Sequence, residues 1–267
     1  MPIITKITVQ KKNNDRYNIF LDEGSGEKYA FSVDEAVLIK HGLKKGQELD
    51  EALIIEIHYQ DDIRKSYNLA IQYLSRRMRS ELEVKNHLRT KEVEEPIILE
   101  VIHKLHQYSF LNDEQFSIAY VRTQKNTTDK GSSLIKIELK EKGIAAHLIE
   151  SALKEFSWEE ELSTAISLCE KYTQKYKKDS MRMMKQKLEQ MLVRKGFPYD
   201  IINEAISTSD IAKEENEELS ALSKQAEKYA KKYQGLPPFE YEQKMKQALF
   251  RKGFSLDLID KYIQNQE

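Results

Sequence analysis

Apolar positions change their rhythm about a quarter of the way along the chain. Before residue 60 they fall in short β-branched and aromatic runs with partial alternation. After it they recur three and four apart, the spacing of amphipathic helices. Ile3-Ile4-Thr5-Lys6-Ile7-Thr8-Val9, Arg16–Leu21 and Lys28–Val33 predict three strands. Gly24-Ser25-Gly26 turns the second into the third, giving a meander. Asp34 is placed to cap a short helix reaching Ile39, and Gly42 and Gly46 flank a turn. Leu53–Ile57 either extends the sheet or begins the helical part.

The helical part is an internal repeat. Arg194-Lys195-Gly196-Phe197 returns as Arg251-Lys252-Gly253-Phe254. Glu141-Lys142-Gly143-Ile144 is a looser copy, and Thr90-Lys91-Glu92-Val93 is one without the glycine. With positions 92, 143, 196 and 253 as anchors, four rows can be tested. Eight residues before stand Val84, Ile135, Leu188 and Met245, and four before stand Leu88, Leu139, Leu192 and Leu249. Six after stand Ile98, Ile149, Ile202 and Ile259, and ten after stand Ile102, Leu153, Ile206 and Ile263. All sixteen are apolar. Such rows predict two short helices joined by a lysine–glycine turn, with inward apolar stripes and each glycine at a left-handed helix end. Pro96, Pro198 and Ser255 start the second helix of the pair. A longer helix precedes it, carrying the tyrosine pairs Tyr172/Tyr176 and Tyr229/Tyr233, and Ser80 with Glu83 and Ser157 with Glu160 have capping-box spacing.

The expected fold is therefore mainly α: four tandem three-helix repeats sharing a core as an elongated rod, straight or curved, behind a small N-terminal β-rich module. The divisions are 1–62 for the module, then 63–110, 111–156, 157–208 and 209–267 for the repeats. Nine glycines and five prolines in 267 residues are too few for the turns of an all-β chain.

Charge changes the picture by its distribution. The total is −1, which predicts no general attraction to nucleic acid. Residues 1–63 carry −4 and residues 64–154 carry +4, while 155–207 and 208–267 are near neutral. The positive excess falls on Arg76, Arg77, Arg79, Arg89 and Lys91 and continues through Arg122, Lys125, Lys130, Lys136, Lys140 and Lys142. Such a series is either a solvated helical face or a modest basic surface able to meet phosphates or an acidic protein groove. One cysteine, Cys169, suits a reducing compartment and reads as a packed small hydrophobe. With no run of about 18 apolar residues and no secretory signal at Met1–Lys6, a soluble, cytoplasmic protein without membrane contact is expected.

Catalytic chemistry is not signalled. Gly42-Leu43-Lys44-Lys45-Gly46-Gln47 lacks the lysine and hydroxyl of a phosphate loop. His103 and His106 have no HExxH or cysteine partners, which excludes a recognisable metal site, and no paired carboxylates mark a cleft. No enzyme activity, cofactor or small-molecule substrate is expected. The tyrosine pairs either stack on nucleic-acid bases or edge the core with their hydroxyls in water; the second reading is preferred. Trp158 is expected to pack between repeats.

The residues Ala70-Ile71-Gln72-Tyr73-Leu74-Ser75-Arg76-Arg77-Met78-Arg79-Ser80-Glu81-Leu82, with Lys85 and Leu88, resemble the opening motif of the RecX family of bacterial recombination regulators. Leu111-Asn112-Asp113-Glu114-Gln115-Phe116 with Tyr120 and Val121 resembles its second motif, and Lys130-Gly131 with Ile137–Ile144 its third. A fourth unit and the β front end are similar to the longer Gram-positive type. The resemblance implies a partner, the RecA recombinase and its filament on DNA, and inhibition of RecA ATP hydrolysis and strand exchange. From the charge distribution we expect repeats one and two to dock first through their basic side, with Arg76, Arg77 and Arg79 central and Lys136, Lys140 and Lys142 beside them. In that picture Ser80, Glu83 and Asp113 are caps. A protein acting through DNA alone and a general protein-binding scaffold remain alternatives.

Overall fold

A computed structural model describes residues 1–209 and 215–264. Among these residues the chain forms three strands and thirteen helices. It divides into two compact units, residues 1–116 with 142–144, and residues 117–141 with 145–267.

The first unit opens with the expected meander: β1 (Ile3–Gln10), β2 (Asn13–Asp22) and β3 (Glu27–Asp34), antiparallel in the order β1-β2-β3. Asp22 Oδ1 accepts the Gly24 and Gly26 N–H groups at 2.7 and 3.0 Å, which closes the β2–β3 turn. Ile4, Ile19 and Val33 are fully buried. The outer edge of β1 is covered, because Ile4 N–H donates to Gln47 and Gly46 N–H donates to Ile4. Asp34 caps α1 (Glu35–Lys40) through the Ala36 N–H, as expected.

Leu53–Ile57 belong to a helix. α2 (Glu51–Leu74), capped by Asp50, runs for 24 residues. It serves two cores: Ile57 packs with the sheet residues, while Ile63 and Ala70 pack with α3 (Glu81–Arg89) and α4 (Glu95–Gln107). A buried carboxylate ties sheet to helix. Asp61 accepts the Asp34 N–H at 2.8 Å and the Arg16 guanidinium at 2.8 Å, with Lys65 at 3.0 Å. Burial alone would raise its pKa; the hydrogen bonds from Arg16, Asp34 and Lys65 outweigh burial and hold it below the ordinary aspartate value.

The repeats follow the predicted three-helix rhythm. α5 (Asp113–Thr127), α6 (Ser132–Glu141) and α7 (Ala146–Leu153) form the second. α8 (Trp158–Lys175), α9 (Met181–Lys195) and α10 (Tyr199–Thr208) form the third. α11 (Glu215–Tyr233), α12 (Pro238–Arg251) and α13 (Leu256–Gln264) form the fourth. Both capping boxes are present. In the first three of the four aligned apolar rows every side chain is buried, at most 2% exposed; the fourth row, from Ile102 to Ile263, lies at the margin of the core. Gly143, Gly196 and Gly253 have φ of 78°, 82° and 86°, and Glu92 takes the same left-handed conformation at 59° without a glycine.

A joint between successive helix pairs recurs three times. Gly143 lies against Leu82, where an added Cβ would come within 2.8 Å of two side-chain atoms. At Gly196 the added atom would meet Leu134 Cβ at 2.3 Å, and at Gly253 it would meet Ser180 Oγ at 2.6 Å. Each glycine turn thus rests on the first turn of the middle helix of the preceding repeat. A carboxylate completes each joint by accepting that helix's first N–H. Asp113 takes Glu81 N–H at 2.9 Å, Glu161 takes Ser132 N–H at 2.7 Å, and Glu218 takes Met181 N–H at 2.9 Å. Asp113 is therefore a cap, though of α3 instead of its own helix; Asn112 caps α5 through Gln115 N–H.

Trp158 departs from expectation: it sits at the first position of α8 and is 48% exposed, not sealed between repeats. Tyr172, Tyr176 and Tyr229 edge the third and fourth cores, as the sequence predicts. No helix among the described residues is long and apolar enough to cross a membrane.

Candidate functional site

Of the eleven basic residues singled out in the sequence, seven are held by carboxylates. Glu83 receives Arg77 at 2.8 Å and Lys142 at 3.5 Å, while also accepting the Ser80 N–H of its own capping box. These contacts overcome burial and keep Glu83 below the ordinary glutamate pKa, so it stays ionised. Arg89 pairs with Glu95 at 2.8 Å. In the second unit Arg122 pairs with Glu155 and Lys125 with Glu160, both at 2.8 Å, and the Lys125 ammonium also donates to the Glu155 carbonyl. Lys130 pairs with Glu138, which also accepts from the Tyr120 hydroxyl, and Lys136 pairs with Glu150. The series that reads as one basic face in the sequence is, over most of its length, locally neutralised.

Arg76, Arg79, Lys91 and Lys140 form no ion pair with a described residue. Three of them converge in the first unit. The Tyr73 ring, near the end of α2, is stacked on His87 of α3 at 3.9 Å with the planes 7° apart. The Arg79 guanidinium lies over the Tyr73 ring at 4.1 Å, and its Nε is buried without a hydrogen-bond partner among the described residues. Burial pushes the His87 pKa down, and the charges of Lys91, Arg79 and Arg76 push it further, so the ring is neutral at pH 7 and stacks as an aromatic. The result is a patch of uncompensated positive charge beside an exposed-edge aromatic pair. Lys140 is separate from this group; its charge acts on Glu150 beside Lys136.

Tyr73 and His87 escaped the sequence reading because their pairing depends on the angle between α2 and α3. The joint carboxylates had a signal: Glu161 and Glu218 stand 57 apart, the same spacing as Gly196 and Gly253.

Other candidate chemistry resolves into packing. His106 Nε2 lies 2.7 Å from Glu81, and no group of potential ligands able to hold a metal ion occurs among the described residues. Cys169 is fully buried, and burial raises its thiol pKa, away from a reactive thiolate.

Comparison with known proteins matches each part of this architecture. Residues 2–50 match the family described as the regulatory protein RecX N-terminal domain. Residues 67–105 match the first RecX three-helix domain and 112–153 the second. The third three-helix domain matches twice, at 159–206 and 216–263. The chain belongs to the RecX family. Regulatory protein RecX of Bacillus subtilis is 48% identical over the full length of both chains, and that of Bacillus velezensis is 47% identical over the same extent. A crystal structure of a regulatory protein RecX aligns at TM-score 0.68 with 36% identity, covering 76% of this chain and 98% of its own. RecX from Lactobacillus salivarius aligns at 0.55 with 39% identity, covering 57% and 99%. The fourth repeat is thus a second copy of the third RecX domain, and the relatives are regulatory proteins by name.

Proposed function

We propose that this protein binds RecA and the RecA–DNA filament and restrains RecA ATP hydrolysis and strand exchange, acting in the cytoplasm without catalysis or a cofactor of its own. Family membership supports the partner. The observation that carries the site is the unpaired cationic cluster of Arg76, Arg79 and Lys91 around the Tyr73–His87 stack. Charge already bound to a carboxylate contributes little to an incoming partner, whereas free charge beside an aromatic face attracts phosphate or acidic side chains at close range. The remaining basic candidates, Arg77, Arg89, Arg122, Lys125, Lys130, Lys136, Lys140 and Lys142, are secondary contacts in this reading. Repeated units let several weak contacts act together.

The test is RecA ATPase on single-stranded DNA with wild-type protein and with Arg76→Glu/Lys91→Glu, both of which are exposed. Loss of inhibition at unchanged thermal stability supports the assignment; undiminished inhibition removes it. The same cationic–aromatic chemistry suits single-stranded DNA, which gives the second reading. A protein acting through DNA alone binds without RecA and loses affinity steeply with salt.

A further inference from the structure

A second cationic cleft lies in the first unit, away from the residues of the Tyr73 patch. α1, α2 and α4 enclose a volume of about 310 Å³ lined by Lys40, Arg64, Lys104, Tyr67, Tyr108 and Phe110. That size falls near the lower end for small-molecule clefts, roughly 300 to 1,000 Å³. No carboxylate lines it. Lys40 donates to the Gln60 amide at 3.0 Å, and Arg64 pairs at 3.1 Å with the buried Asp34. Lys104 makes no ion pair or hydrogen bond with a described residue. It is half-buried, and its pKa is pulled down by burial first and then by the charges of Lys40 and Arg64; Glu100 on its own helix opposes this only in part. An ammonium without an ion pair among the described residues, beside a second ammonium that only an amide holds, is a place where an anion is favoured.

The aromatic half of the cleft is equally specific. Tyr67 and Tyr108 meet edge to face with centroids 6.4 Å apart, and the Arg64 guanidinium covers the Tyr67 ring at 5.8 Å. Ser109 has φ of 59°, a left-handed turn just past α4, between Tyr108 and Phe110. These two rings are 61% and 54% exposed, large aromatic surfaces left open next to three cations.

We propose that this cleft binds a nucleotide, with the phosphate held by Lys40, Arg64 and Lys104 and the base stacked on Tyr108 or Phe110. Lys40 and Lys104, neither of them held by a carboxylate among the described residues, match the charge of a phosphate; Arg64, already paired with Asp34, adds N–H donors; and flat rings beside them match a base, as in other sites that hold single nucleotides or single strands. The nucleotide is either free or one residue of a strand. Nothing in this site depends on RecA, so its test is independent of the function proposed above.

The experiment is titration of the full-length protein, without RecA, with dAMP, with a twelve-residue oligothymidylate and with inorganic phosphate, followed by calorimetry and by NMR of Tyr-labelled protein. Lys104→Gln and Phe110→Ala are compared with wild type and with Lys28→Gln, a control on the β2–β3 hairpin. We expect Lys104→Gln to weaken dAMP or oligonucleotide binding about tenfold and to lower the salt slope by about one. Phe110→Ala, which removes a ring 54% exposed, should weaken nucleotides while leaving phosphate binding and the melting temperature unaffected. Tighter binding of dAMP than of the oligonucleotide identifies a free ligand, and the reverse identifies a strand; both support the site. Equal affinity of wild type and Lys104→Gln overturns the proposal. So does binding of phosphate as tight as dAMP, or stronger competition by an acidic peptide containing phenylalanine than by nucleotides.

Discussion

The Glu161 carboxylate accepts the backbone N–H of Ser132 at 2.7 Å, so the long helix of one repeat closes the open end of the middle helix of the repeat before it. The helix terminus leaves that N–H without an intrahelical partner, and negative charge is favoured there. Glu161 is nevertheless only 5% exposed, and burial raises its pKa above the ordinary glutamate value. The amide of Glu161→Gln keeps an acceptor and carries no charge. It is expected to preserve stability at pH 7 within about 1 kcal/mol, whereas Glu161→Ala, which strands a buried donor, is expected to cost about 1–3 kcal/mol. Thermal denaturation of the two variants checks this; equal loss in both would show that the hydrogen bond is unimportant.

Asp61 and Glu161 respond to acid in opposite senses. The folded pKa of Asp61 lies below its unfolded value, so its contribution is complete above the ordinary aspartate range and disappears as pH falls through the folded value. The folded pKa of Glu161 lies above its unfolded value, so the folded state takes up a proton first and gains from acidification until the unfolded value is passed. Asp61→Asn should therefore flatten the loss of stability on the acid side, after an initial destabilisation of about 3 kcal/mol from unpaired Arg16. Glu161→Gln should steepen the net acid loss by removing the opposing contribution. Denaturant midpoints measured between pH 3 and pH 7 distinguish the two; parallel curves for all three proteins would contradict both assignments.

Gly196 cannot become alanine without moving a neighbouring helix. The new Cβ would lie 2.3 Å from Leu134 Cβ and 2.5 Å from the Leu134 backbone nitrogen, at a φ that side chains avoid. We expect Gly196→Ala to destabilise by about 3 kcal/mol or more. Glu92→Gly should do the opposite, stabilising by up to about 1 kcal/mol, because the exposed Glu92 occupies the same left-handed conformation at φ 59°. Calorimetric melting points of the pair measure the two effects separately.

Charge reversal should act by pairing, not by position along the sequence. Lys136→Glu breaks a bond to Glu150 that already neutralises the lysine, and is expected to change RecA inhibition less than Arg76→Glu, whose charge has no ion pair with a described residue. Inhibition curves at two salt concentrations separate them; a larger effect at Lys136 would shift the contact to the second unit.

The strands and the repeats were legible because local chemistry writes them into the chain. β-branched runs in Ile3–Val9 and Arg16–Leu21 leave few alternatives to a meander, and the rows from Val84 to Met245 and from Leu88 to Leu249 repeat with the period of a helix. The candidate surface was less legible. Arg77, Lys125 and Lys136 look alike in the sequence, yet each meets a carboxylate 6, 35 or 14 residues away. Pairing at those separations is set by how helices cross, which periodicity does not encode. The fate of Leu53–Ile57 turned on similar grounds: an apolar run of that length suits a strand or a buried helix, and the Asp50 cap decides it.

The glycine-and-carboxylate joint has an evolutionary corollary. The second and third repeats each present a socket, a serine- or glycine-led helix start, and a plug, a glycine turn with its carboxylate, so copying either one whole supplies both halves of a working connection at once. Tandem duplication of such a unit can therefore lengthen the protein without inventing any new interface.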